Sequence, residues 1–307
     1  MFDAEKFIAD STAKIKAQIG DKKAIIALSG GVDSSTAAVL TAKAIGENLV
    51  SLFVDTGFMR KDEPEKIEEL FIEQFHLNFR RIDAREEFFE ALEGVSDPEE
   101  KRTIIGHKFI EIFEREANRE EAQFLVQGTI APDWIETGGK IKSHHNVTLP
   151  HGMVLELTEP MRDLYKDEVR AAARALGLPA EISERMPFPG PGLAVRVLGA
   201  INPEKVEIVR EADAIVMEEI KDKINPWQAF AVILEGRATG VKGDSRDYGH
   251  MIAVRIVESS DAMTANAMDV DWKLLKKITE RITREIPDVT RVLYDLTDKP
   301  PATIEFE

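Results

Sequence analysis

The chain contains no cysteine. That absence excludes disulfides, thiol nucleophiles and thiolate-held metals together. Positive charge is also in short supply: 56 acidic residues stand against 40 basic ones, a formal net charge of −16. Nucleic-acid binders carry a basic footprint, so no nucleic-acid partner is expected. No apolar run approaches the roughly 18 residues of a membrane span, and the opening Met-Phe-Asp-Ala is not a signal peptide. No membrane association is expected, and the cytoplasm is the expected compartment. One further absence is local. No lysine follows the glycine pair at 30–31, where a Walker loop needs one to reach the β- and γ-phosphates.

What stands there instead is AIIALSGGVDSS over residues 24–35. Residues 24–28 are small or apolar and read as a buried strand. Ser29, Gly30 and Gly31 force a tight turn whose backbone can approach a ligand closely. Val32, Asp33, Ser34 and Ser35 then open a helix of small residues. Strand, glycine turn and helix start together make an anion site from free N–H groups and the positive end of the helix dipole. A carboxylate inside such a loop repels a polyphosphate unless a divalent cation lies between them, so Asp33 implies Mg²⁺.

Strand and helix signals alternate onward. Residues 2–19 read as an amphipathic helix, 49–54 as a second apolar strand ending at Val54, 62–75 as a helix and 79–82 as a short strand. Asp55, after that second strand, either meets adenosine or caps a turn. A long helix is expected over 98–117, with Lys101 and Arg102 in its first turn, where cations oppose the dipole unless an anion sits nearby. A third apolar strand, 124–126, leads to Gly128. Residues 130–150, which include Asp133, Trp134, Lys142, His144 and His145, have little periodicity and read as a lid loop. A strand at 153–157 and a helix over 163–176 complete a parallel sheet covered by helices.

The proline-dense string MPFPGPG at 186–192 marks the expected boundary, giving domains over 1–186 and 187–307. Beyond it the pattern predicts strands at 193–198, 229–234, 250–257 and 291–295. It also predicts helices over 203–221 and 272–286 and a turn through 240–247, an α+β domain. By composition alone the last nine residues, KPPATIEFE, read as a frayed tail.

SGGVDSS resembles the pyrophosphate loop of the N-type ATP pyrophosphatases, a fold class of adenine nucleotide alpha-hydrolase type. With VDTG at 54–57, KSHHNV at 142–147, PFPGPGLAVRVLG at 187–199, GDSRDY at 243–248 and the terminal KPPATIEFE, nearly the whole chain is similar to the GMP synthase family. The resemblance implies ATP-dependent amination of xanthosine 5′-monophosphate (XMP) to GMP through an adenylated XMP. It implies that Ser29, Gly30, Gly31, Val32, Asp33, Ser34 and Ser35 cradle pyrophosphate, with Val54 and Gly128 beside adenosine. Asp33 and Asp133 would hold Mg²⁺, and Lys142 would act from the lid. Arg102, Asp244, Arg246, Lys299, Thr303 and Glu305 would hold XMP, which turns the tail into a nucleotide clamp. Fused members carry a glutaminase domain with a cysteine nucleophile. This chain begins at the ATP pyrophosphatase segment, so the resemblance implies the two-subunit form. Ammonia would come from a separate glutamine amidotransferase subunit, and a homodimer would form through the C-terminal domain. On the loop alone, an NAD synthetase, a tRNA-thiolating enzyme and a nucleotide sensor without turnover all stay open. The C-terminal strings weigh against them.

Overall fold

Residues 24–28 form a central strand because each is small or apolar and nearly all of their surface is removed from water. The computed structural model describes residues 2–136, 146–148, 154–260 and 262–307. From the N-terminus its elements are α1 (Ala4–Ile19), β1 (Ala24–Leu28), α2 (Val32–Ile45), β2 (Leu49–Asp55), α3 (Glu63–Glu69) and β3 (Asn78–Asp83). Next come α4 (Arg85–Ala91), α5 (Pro98–Arg119), β4 (Phe124–Val126), α6 (Ala131–Glu136), β5 (Asn146–Thr148), β6 (Val154–Thr158), α7 (Lys166–Ala175) and α8 (Ala180–Ser183). The last stretch holds α9 (Pro203–Ile220), β7 (Gln228–Lys242), β8 (Ser245–Glu258), β9 (Asn266–Ala267), α10 (Trp272–Glu285) and β10 (Val289–Tyr294). No helix among the described residues is long and apolar enough to cross a membrane.

The chain folds into two units. One is made of Met1–Asp55, Pro64–Ala84 and His107–Arg185, the other of Thr56–Glu63, Arg85–Gly106 and Met186–Glu307. The first holds a six-stranded sheet in the order β3-β2-β1-β4-β6-β5, parallel throughout except for β5, which runs against β6. Alternation along β1 and β2 sends Ile25, Val50 and Leu52 to one face, where they meet Phe113 and Ala117 of α5. Ala24, Ile26 and Leu28 are buried on the opposite face, while α1, α2 and α7 pack on one another. This is the α/β pyrophosphatase-type architecture the sequence implied. Strand order reverses between β1 and β4, which makes the space beyond their C-terminal ends the place where such sheets bind ligands.

The second unit pairs β7 with β8 in antiparallel register, β8 with β10 in parallel, and β9 with the end of β8. Helix α9 packs on β7 and on α10. Two expectations are corrected here. Residues 193–198 are not a strand: the chain makes a tight helical turn over Gly192–Arg196 and bridges to the sheet only at Val197. Gly192 has φ +64, and a Cβ there would lie 2.3 Å from the Phe58 carbonyl oxygen. The close approach lets the Leu193 N–H donate to that oxygen at 2.7 Å, which spends the run on a turn. Residues 240–247 are not an extended turn either, because the β7–β8 ladder continues to Lys242 opposite Ser245. Past Leu234 the hairpin is largely solvated, so no buried face imposes the alternation that marks a strand.

Candidate active site

The loop after β1 is held open by its own hydroxyls. The Ser29 and Ser34 hydroxyls lie 2.9 Å apart, Ser34 Oγ donates to the Gly31 carbonyl at 3.2 Å, and the Gly31 N–H donates to Ser29 Oγ at 3.3 Å. Gly30 takes φ +71, and its carbonyl accepts a 2.8 Å hydrogen bond from Arg185. Gly31 is the N-cap of α2 and no side chain caps the helix, so its first N–H groups are left to a ligand. Ser35 closes the first turn, its N–H donating to the Gly31 carbonyl at 3.1 Å. Val32 is buried beneath.

Gly128, just past β4, lies against this turn. A Cβ there would come within 2.9 Å of the Asp33 carbonyl carbon and 3.0 Å of the Ser34 nitrogen. The reversal of strand order is thereby closed by two backbones in contact. Val54, near the end of β2, is only 3% exposed, so its side chain is spent in the core. Asp55 beside it is also buried and accepts from Arg81 at 2.7 Å.

Sequence reasoning missed two cations at this turn. Lys166 Nζ lies 2.9 Å and 2.7 Å from the two carboxylate oxygens of Asp33. It opens α7, a position that opposes the helix dipole, and so marks a place where negative charge is anticipated. Arg185 is the second. A Mg²⁺ ion carried on phosphates needs only one or two protein carboxylates, and Asp33, already facing a cation, fits that role. Asp133 is exposed, with one oxygen accepting the Ile130 N–H at 2.9 Å. Among the described residues no group of three or more His, Asp or Glu gathers as a metal cage. Lys142 lies outside the described residues, as do His144 and His145.

The residues expected at XMP fall into two places within the second unit. Near the tail, Arg196 meets both oxygens of Glu305, by Nε at 3.2 Å and Nη2 at 3.1 Å, and Gln228 donates to the same carboxylate at 2.7 Å. Lys299 donates to the Ala262 carbonyl at 2.8 Å, and Thr303 Oγ1 bonds the Glu305 carbonyl. Arg102 donates to a Glu307 main-chain oxygen, while Lys101 binds the Glu307 side chain. Glu307 is thus an anion for the cationic first turn of α5, and burial pushes the Lys101 ammonium below its usual pKa. The frayed-tail reading is corrected: Ile304 is buried, and Arg255 donates to the carbonyls of Ile304 and Thr303. Asp244 and Arg246 stand apart, exposed at the tip of the β7–β8 hairpin.

A family model described as NAD synthase matches residues 3–190, and one described as GMP synthase C terminal domain matches 213–306. Relatives match from end to end. The second of the two subunits of the glutamine-hydrolyzing GMP synthase of Methanopyrus kandleri is 65% identical over 100% of both chains. Its namesake in Methanocaldococcus jannaschii is 62% identical over 100% of both, and that of Pyrococcus abyssi 62% over 99% of each. The chain belongs to this family of GMP synthase subunits. The two family matches divide between the NAD synthase-like parallel sheet with its phosphate-type loop and the C-terminal domain. Arg196 falls in neither matched stretch.

Proposed function

We propose that this chain catalyses the ATP-dependent amination of XMP to GMP, releasing AMP and pyrophosphate, with ammonia delivered by a separate glutaminase. The observation that carries the reading is the uncapped start of α2 with Asp33 gripped by Lys166, in a chain of this family. Residues 29–35 hold the pyrophosphate part of ATP by backbone N–H groups and hydroxyls. Lys166 supplies the cation that a lysine-free glycine loop lacks. Gly128 and Val54 flank the adenosine. Asp33, aided by Asp133, would hold Mg²⁺, which when bound neutralises the leaving pyrophosphate.

The XMP O2 oxygen attacks the α-phosphate, pyrophosphate departs, and the adenylated XMP then loses AMP to ammonia at C2. Adenylation turns a poor oxygen leaving group into a good one, so positioning and electrostatics carry the reaction without a protein nucleophile. Lys142 closes with the 130–150 segment over the nucleotides and keeps water from the adenylate. Arg102, Lys299, Thr303 and Glu305 hold XMP from the tail. Asp244 and Arg246 join them from the second copy in a homodimer formed through the C-terminal domain, and the enzyme works in the cytoplasm.

The test is to incubate the purified chain with Mg²⁺, ATP and XMP, with either ammonium or glutamine, and resolve the nucleotides. AMP and GMP should form in equal amounts with ammonium, and no GMP with glutamine until the glutaminase is added. ATP left intact under every one of these conditions overturns the proposal.

A further inference from the structure

The tail is fastened by two arginines that are fully removed from water, Arg196 and Arg255, and the two do different things. Arg255 binds backbone: its guanidinium donates to the carbonyls of Ile304, Thr303 and Thr297 and pairs with Asp295. With Ile304 seated in the core beside Phe230 and Val257, that anchors the chain. Arg196 adds no backbone contact to the tail. It spends its fork on the Glu305 carboxylate and its remaining terminal nitrogen on Asp213 at 3.1 Å. Its guanidinium carbon lies 5.1 Å and 4.3 Å from the ring centres of Phe188 and Phe230. Gln228, 3% exposed, splits its amide between Glu305 and the Pro187 carbonyl. Burying such a charge cluster is often no more stabilising than apolar packing, so anchoring does not account for it.

We propose that Arg196 and Gln228 are positioning residues that clamp Glu305 as an ionised acceptor for the purine nucleotide. An ionised carboxylate accepts about four hydrogen bonds. Arg196 takes one on each oxygen and Gln228 a second on Oε1, which leaves one position on Oε2 for a substrate N–H or O–H. The carboxylate keeps a small solvent opening, 16% of its side-chain surface. This inference rests on the reading of Glu305 as a substrate contact.

A double-mutant cycle tests it, reading the KM for XMP and for ATP from AMP release in the complete enzyme with saturating ammonium. Arg196→Lys and Gln228→Leu should each raise the KM for XMP by about tenfold or more, because the site loses a preset hydrogen bond, and leave the KM for ATP in place. Glu305→Gln should do the same, and adding either clamp substitution to Glu305→Gln should change nothing further. Effects that multiply in the double variants overturn the clamp. A normal KM for XMP in Glu305→Gln alone overturns the reading beneath it, and so separates the two failures. If Arg196→Lys does not fold, the Gln228→Leu arm decides.

Discussion

Gly128 has no room for a side chain. The atoms a Cβ would meet, the Asp33 carbonyl and the Ser34 nitrogen at 2.9–3.0 Å, are backbone of the loop that receives the nucleotide. They cannot rotate aside as a flexible side chain could, so Gly128→Ala has to push the β4 end away from α2. Overpacking of this kind costs about 1–3 kcal/mol. The expected outcome is a KM for ATP raised roughly tenfold or more, at about 1.4 kcal/mol per factor of ten. A titration calorimeter and a melting curve check it, and unchanged ATP affinity would show that the contact is not part of the site. The loop itself was legible because its chemistry is local: SGGVDSS puts turn, hydroxyls and carboxylate in seven consecutive positions. Its partners were not. Lys166 stands 133 residues from Asp33, Arg185 155 from Gly30, and Arg196 109 from Glu305. No spacing rule links such pairs, since only the folded sheet brings them together.

At the scale of elements, α9 and α10 are joined by one carboxylate. Glu219, nearly buried, binds Lys223, Lys277 and Arg281 at 2.9–3.0 Å. Burial alone would raise its pKa, but hydrogen bonds from Lys277, Lys223 and Arg281 outweigh it and hold the group at about 2. A carboxylate with a depressed folded pKa stabilises the fold above its ordinary value of 4.5 and loses that contribution as pH falls toward 2. Glu219→Gln is therefore expected to unfold at lower urea than the parent at pH 7, with the gap narrowing below pH 4.5 and closing near pH 2. A gap that persists at pH 2 would assign the effect to packing rather than charge. The elements that periodicity identified are those with a buried face: α1, β1, β2, β4, α9 and β10 lie close to their expected positions. Residues 193–198 are apolar and buried on every side, which periodicity cannot tell from a strand. The outer hairpin is a ladder without a buried face and gives no alternation to read.

Seen as a whole, the second unit separates residues that the proposed reaction needs together. From Arg246 to Glu258, β8 runs twelve positions in extended form, about 40 Å at ~3.4 Å per residue. Gln228, which holds Glu305, pairs with Val257 at the far end of that strand, and Lys299 pairs with Ala265 just beyond it. Asp244 and Arg246 therefore cannot meet Lys299 and Glu305 of their own chain unless the hairpin folds back on itself. A two-fold dimer removes the difficulty, because each hairpin tip can reach the partner's tail. Two variants then distinguish one shared site from two unrelated ones: Arg246→Ala at the tip and Lys299→Ala in the tail. Each alone should lose most of its XMP-dependent AMP release. Co-expressed with different tags and purified through both, they should recover activity, since one site of each mixed dimer carries both lesions and the other carries neither. In an untagged one-to-one mixture of freely exchanging chains, half the dimers are mixed, so the recovery should be about a quarter of the parent activity per chain. Mixed dimers that stay inactive would place Arg246 outside the XMP site and leave the tail to bind the nucleotide alone.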